Sequence, residues 1–334
     1  MKTLEDFLRP TQEGLFNRLR EKYRETAVAK SGGFLLIPGE APILLVAHLD
    51  TVHKEPVRTI CRSEGGNILM SPQGIGGDDR CGVYGIVKVH EASAVKPWLL
   101  FTCDEETGGH GAHAFCDAYM DGELPEGLNA LKMVIELDRR GRNDAVYYDC
   151  DNPEFEEYIK GKGFQTNFGS FSDISIIAPI LGAAAANLSC GYYNAHTLHE
   201  YINRRQLKAT VRKVVEMVSD TAREDFPRHE YMEADWAIDG YGGYWDNPYD
   251  WYKDRLKLAE DGFPKDLPEE YRDIYEELLD LYDPIELEHY RKRYGDPVIL
   301  ELYEYEYGMD GRESLCQPQN SSVPAEGKCQ SSSA

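Results

Sequence analysis

The run Leu99-Leu100-Phe101-Thr102-Cys103 passes without a spacer into Asp104-Glu105-Glu106 and then into Thr107-Gly108-Gly109. Residues 97–103 read as a buried parallel strand, apolar on both faces. Three adjacent acids where such a strand ends cannot all be buried unless something positive meets them. Taken alone, the stretch also fits a solvated acidic loop. In an open α/β sheet, however, the carboxyl ends of the strands are where ligands collect. A parallel strand also needs crossover connections, so the rest of the chain must alternate strand with helix.

The flanking segments do alternate. Residues 11–30 set Leu15, Phe16, Leu19 and Tyr23 at helical spacing among charged residues, which predicts an amphipathic helix packed on the outside. Residues 34–37 and 42–47 predict strands, the second running into His48-Leu49-Asp50. Residues 58–72 predict a hairpin about Gly65-Gly66. The turn Gly74-Ile75-Gly76-Gly77-Asp78-Asp79 opens a helix through Val83, Ile86, Val87 and Val89. Helices follow at 110–120 and 153–161, and strands at 130–137, 144–150 and 182–188. A long helix closes this part, with Ile202, Leu207, Val211, Val214, Val215 and Val218 on its inner side. The pattern predicts an α/β fold: a three-layer α/β/α domain over 1–226 with a mainly parallel central sheet.

Beyond Pro227 the composition shifts. Residues 227–310 hold 9 basic against 24 acidic side chains, together with Trp236, Trp245, Trp251 and 13 of the 22 tyrosines. So many aromatics argue against disorder despite the charge, and the segment reads as an acidic, mostly helical extension with a strand at 298–305. Residues 311–334 are Ser, Gln, Pro and Asn with little apolar content, and disorder is expected there.

A net charge of −23 argues against nucleic acid or anionic membrane as partners. The start of the chain lacks the apolar run of a signal peptide, and no run is long enough to span a bilayer. The eight cysteines are scattered with no Cys-x-x-Cys pair, which points to reduced thiols and a cytoplasmic location.

Four loops that follow strands carry acids or histidine, namely His48-x-Asp50, Asp78-Asp79, Glu105-Glu106 and Asp138. A fifth, bearing His196, follows the last apolar strand. Singly, each fits an ordinary core or surface residue. Together they form a set of nitrogen and oxygen donors suited to zinc or manganese, with no thiolate among them.

On these residues the chain resembles the co-catalytic zinc exopeptidases and deacylases, the family that includes glutamate carboxypeptidase and aminotripeptidase T. The similar pieces are 47–51, 77–82, 102–109, Asp138 and 194–201, within residues 44–202. The resemblance implies two divalent ions, Zn2+ first, with Mn2+ or Co2+ as substitutes. One would be held by His48 and Asp138, the other by Glu106 and His196, with Asp78 bridging both. It further implies Glu105 as the general base acting on a water activated by two metals, and Asp50 as the residue orienting the His48 ring. Asp79 and Asp104 receive no role. Two-domain members of the family insert a lid between the equivalents of Asp138 and His196. Here 58 positions separate the two, too few for an inserted domain.

The reading that follows is a metal-dependent amidohydrolase, first an aminopeptidase or small-peptide exopeptidase acting on small peptides. A deacylase of N-acyl amino acids is the alternative, with Arg139, Arg140 and Arg142 at hand for a substrate carboxylate. The third possibility is a non-catalytic metal-binding scaffold. If 227–310 replaces a lid, Tyr241, Tyr244, Trp245 and Trp251 would wall the site. Oligomeric state stays open.

Overall fold

The computed structural model describes residues 1–234 apart from 168 and 170, and then 267–279, 282, 287, 290, 291 and 295–307. The chain divides into two compact units, Met1–Asp246 and Asn247–Ala334.

In the first unit a short helix α1 (Glu5–Leu8) precedes α2 (Gln12–Lys22), whose start is capped by the Thr11 hydroxyl accepting from the Gly14 amide. Leu15, Phe16 and Leu19 are its buried stripe. The helix expected over 11–30 stops there. Val28 opens β1 (Val28–Lys30), which pairs antiparallel with β2 (Phe34–Ile37), so sheet pairing captures the end of the predicted helix. The central strands are β3 (Ala41–His48), β6 (Pro97–Thr102), β7 (Met133–Arg139) and β10 (Ala185–Ser189). They lie parallel in the order β6-β3-β7-β10. The edges are antiparallel to them: β2 beside β6, and β8 (Asp144–Val146) beside β10 with β9 (Gln165–Thr166) outermost. The sheet is therefore mainly parallel, as the buried runs imply.

Strand alternation divides the apolar side chains between two faces. Leu45, Ala47, Leu99, Phe101 and Ile135 pack with Val83, Ile86, Leu207 and Val214. These last belong to α3 (Gly77–Ala92) and α7 (Arg204–Thr221). On the opposite face Leu44, Val46, Leu100 and Val134 meet Phe115 and Ile177. Phe115 belongs to α4 (His110–Met120) and Ile177 to α6 (Asp173–Leu181). Each fully buried Leu or Phe in these layers contributes about 2 kcal/mol of transfer free energy. Between Asp138 and His196 the described residues form β8, α5 (Pro153–Gly161), β9, α6, β10 and β11 (Tyr192–Tyr193). Of these, α6, β9 and β11 had no counterpart in the sequence reading. The hydrophobic run of α6 contains Pro179 and several Ile residues, which obscures a helical stripe.

A second, four-stranded antiparallel sheet has the order β11-β12-β5-β4. Its hairpin β4 (Cys61–Arg62) and β5 (Ile68–Met70) is the one expected about Gly65-Gly66, and β12 (Tyr201–Asn203) joins it to β11. Residues 228–234 are part of the first unit: His229 N–H donates to the Lys132 carbonyl, and Ala183 bridges to Glu230. The described cysteines 61, 81, 103, 116, 150 and 190 are all free thiols. No helix among the described residues is long and apolar enough to cross a membrane.

In the second unit a 3-10 turn (Glu269–Tyr271) leads into α8 (Arg272–Leu278), and α9 (Val298–Tyr307) lies farther along. The strand expected at 298–305 is thus a helix. Val298, Ile299, Leu302 and Tyr303 are buried at spacings of one and four, a helical stripe that outweighs the β propensity of Val, Ile and Tyr. Tyr303 donates its hydroxyl to Glu277 at 2.8 Å, beside the buried Ile274, Tyr275 and Leu278. Trp236, Tyr241, Tyr244, Trp245, Trp251 and the 311–334 tail lie outside the described residues.

Candidate metal centre

The carboxyl ends of β3, β6 and β7 all point to one edge of the sheet, and each releases a charged group there. β3 ends on His48, β6 gives way after Thr102 to the turn bearing Glu105 and Glu106, and β7 carries Asp138 near its end. Asp78 arrives from the turn between β5 and α3, where Gly74 and Gly76 have φ of 82° and 62°. These values are open to glycine and costly for most other residues. The Asp78–Asp79 peptide is cis, and both residues depart from helical backbone. His196 comes from the loop between β11 and β12, at φ 65°.

These five side chains meet in two overlapping triads. His48, Asp78 and Asp138 bring donor atoms within 4.8 Å of one another, and so do Asp78, Glu106 and His196. Asp78 is shared. Its Oδ1 lies 3.1 Å from His48 Nε2, and its Oδ2 lies 3.3 Å from His196 Nε2. His48 Nε2 is 3.5 Å from Asp138 Oδ1, and His196 Nε2 is 3.1 Å from Glu106 Oε2. Glu105 stands beside them, Oε2 4.0 Å from His48 Nε2, and forms a third group with His48 and Glu106.

The supporting contacts explain this convergence. Asp50 Oδ1 lies 3.2 Å from His48 Nδ1, leaving Nε2 aimed into the site. The same carboxylate accepts from the amides of Glu105 (3.1 Å) and Glu106 (3.0 Å). One residue thus orients the imidazole and shapes the glutamate turn, which separates two neighbouring acids that a strand would send to opposite faces. Asp104 faces away and exchanges two hydrogen bonds with the Gln12 side chain on α2. Asp79 is fully buried, accepting from His48 N–H and Gly82 N–H, and so ties the end of β3 to the start of α3.

Residues without a role in the sequence reading complete the frame. Asn187 accepts from the Asp138 amide and donates to the Asp138 carbonyl. Ser172 lies within hydrogen-bond reach of both Asp138 Oδ2 and Glu136 Oε2. Glu200 accepts from the amides of Gly76 and Asp78. A lone Asn in Ala-Ala-Asn-Leu and a lone Glu in Val-Ile-Glu-Leu, each inside a buried strand, are signals of this kind, because such groups must be satisfied where they sit. Arg139 closes β7 beside Asp138, and Arg140 and Arg142 follow in a loop pinned by the Gly141 amide to the Tyr192 carbonyl.

Charge is unbalanced in this pocket. Burial pushes Glu105 well above the ordinary carboxylate range. Burial and then the charge of Asp78 raise Asp138 to about 6. Hydrogen bonds that His196 donates to Asp78 and Glu106 raise it to about 11. For His48 burial works the other way, but Asp138 and Asp50 outweigh it and hold the imidazole well above its usual range. Every shift toward proton uptake marks a place short of positive charge. Glu106 Oε1 is buried with no hydrogen-bond partner, an acceptor shielded from water with nothing to accept from. Bound divalent cations would answer both deficits, and the donors, imidazole nitrogen and carboxylate oxygen, suit zinc, manganese or cobalt.

No family model and no curated protein sequence matches the chain. Solved structures do. A tripeptidase from Staphylococcus aureus subsp. aureus Mu50 matches at a TM-score of 0.52 and 14% identity, over 66% of this chain and 97% of that one. Aminopeptidase PepT from Bacillus cereus matches at 0.49 and 14%, over 66% and 98%. An aminopeptidase from the archaeon Desulfurococcus kamchatkensis matches at 0.47 and 14%, over 64% and 93%. The likeness to the tripeptidase is one of fold.

Proposed function

We propose that this chain is a metal-dependent exopeptidase that hydrolyses the terminal amide bond of small peptides. The observation that carries the reading is the shared carboxylate: one oxygen of Asp78 faces His48 and the other faces His196, with Glu105 beside the pair. His48, Asp78 and Asp138 would hold one ion, and Asp78, Glu106 and His196 the other. When bound, the two ions supply Lewis acidity to a scissile carbonyl and to water. Glu105 is the residue left to take a proton from water and return it to the leaving amine. Its burial raises its proton affinity, which favours the first of these transfers. Asp50 keeps the His48 ring and the Glu105 amide in register while this happens. Fold likeness to a tripeptidase agrees with a peptide substrate.

The test is metal analysis joined to a panel of free-amine peptides, N-acetylated peptides and N-acyl amino acids. Two ions per chain, cleavage of free-amine peptides and loss of activity in chelator are expected. One ion per chain at saturating zinc, or thiolate coordination by spectroscopy, overturns the two-metal reading. Turnover confined to N-acyl amino acids makes the protein a deacylase instead.

A further inference from the structure

Glu200 is fully buried, yet it is four residues from the partly exposed His196 and touches no group in either triad through its own side chain except by way of the main chain. Its contacts are specific. Oε2 accepts from the Gly76 amide at 2.8 Å and lies 2.9 Å from His53 Nε2, while Oε1 accepts from the Asp78 amide at 2.9 Å. Both oxygens are therefore committed, and the carboxylate holds the two ends of the three-residue turn that presents Asp78. The His53 ring is itself wedged against Gly74, where an added Cβ would lie 2.2 Å from Nδ1. There is equally little room at Gly77, whose Cβ would lie 2.7 Å from Tyr192 Cβ and 3.0 Å from Glu200 Oε1.

The loop that supplies Glu200 is the connection of a β-hairpin. β11 and β12 pair with Tyr193 opposite Tyr201, and the two rings stack at 4.9 Å with 8° between their planes, closing the loop at its base. Within that loop His196 reaches the Asp78 side chain, at 3.3 Å from Oδ2, and Glu200 reaches the Asp78 main chain. One hairpin loop thus holds Asp78 at two points, its carboxylate through His196 and its amide through Glu200. Resting on the two-metal reading above, we propose that Glu200, seated by His53, is the positioning residue of Asp78, and that it sets the affinity of the centre for its ions by fixing where the bridging oxygens stand. Supporting residues of this kind typically change metal affinity by about 10- to 100-fold.

Glu200→Gln tests this in the full chain. An amide offers one acceptor oxygen and one donor nitrogen, so it cannot serve both sides, and a donor is left facing either the Asp78 amide or the Gly76 amide. Zinc affinity is read by competition with a chromophoric chelator, and Tm is read on metal-stripped protein. The expected result is a zinc affinity at least about tenfold weaker than wild type with two sites still countable, while the stripped protein unfolds within a few degrees of wild type. His53→Ala removes only one of the three contacts, so it guards against a Glu200 variant that does not fold, and an intermediate loss of affinity is expected from it. Unchanged zinc affinity in both variants overturns the role of Glu200 and leaves the exopeptidase reading standing. A wild-type chain that takes up no zinc overturns that reading, and this inference with it.

Discussion

Gly82 sits where the first turn of α3 crosses the end of β7. A Cβ added there would lie 1.9 Å from the Leu137 carbonyl oxygen and 2.4 Å from both Asp79 oxygens. Ordinary contact begins near 3.4 Å, so α3 and β7 must part by about 1.5 Å to admit one methyl group. Neither obstacle can swing aside: one is backbone inside the central sheet, and the other is a buried carboxylate held by the amides of His48 and Gly82. Overpacking of this kind costs about 3 kcal/mol, the upper end of the usual range, because the clash is with main chain. In a unit of this size that lowers Tm by about 6–12 °C. The same displacement separates Asp78, at the start of α3, from Asp138, at the end of β7, and so weakens zinc binding as well. Scanning calorimetry of Gly82→Ala beside wild type, each with and without zinc, reads both effects. A variant that melts within about 2 °C of wild type and binds zinc normally refutes the reasoning, since the helix would then have moved without cost.

Glu105→Gln is expected to keep both ions and the fold while kcat falls by about 10²–10⁴, the usual range for loss of a proton relay. Near-normal kcat in a zinc-loaded variant would place the base elsewhere. A different prediction concerns His90 at the end of α3, whose ring meets Tyr23 edge-to-face at 5.3 Å. Burial, followed by the positive charges of Lys96 and Lys22, lowers its pKa from 6.5 to about 4. The folded state therefore prefers the neutral ring. The stability this contributes is complete above pH 6.5 and is lost as pH falls through about 4. His90→Gln should lose less stability than wild type in urea titrations between pH 7 and pH 5, and identical losses would show that the ring is indifferent to its charge.

The parts of the fold that were legible in sequence are those where one pattern dominates. β6 and β7 are apolar on both faces and end in acids, so strand and site edge are visible together. His48, Glu105 and Asp138 stand out in the sequence for the same reason, since each breaks off an apolar run, whereas Asp78 follows a glycine turn. α6 was not legible, because its exposed positions Pro179 and Ile180 are apolar and leave no polar face to give it a period. α9 was misread for a related reason: its apolar residues are good strand formers, and only their burial reveals the stripe. Glu200 stands in a quoted motif, but its partners are backbone amides and a histidine 147 positions away. Backbone donors leave no mark in a sequence.

Among the described residues, the hairpin loop that grips Asp78 is the last contributor to the centre in chain order, following groups that begin at His48. A ribosome has therefore made every carboxylate of the site, and one of its two imidazoles, before Asn194 to Glu200 emerge. Until then the acids around Asp78 repel one another with no second imidazole between them, and the turn that carries Asp78 has no carboxylate to hang from. If the centre holds ions as proposed, their tight capture depends on a chain complete through β12, so that a prematurely ended product, however well its sheet had begun to pair, would stay metal-poor.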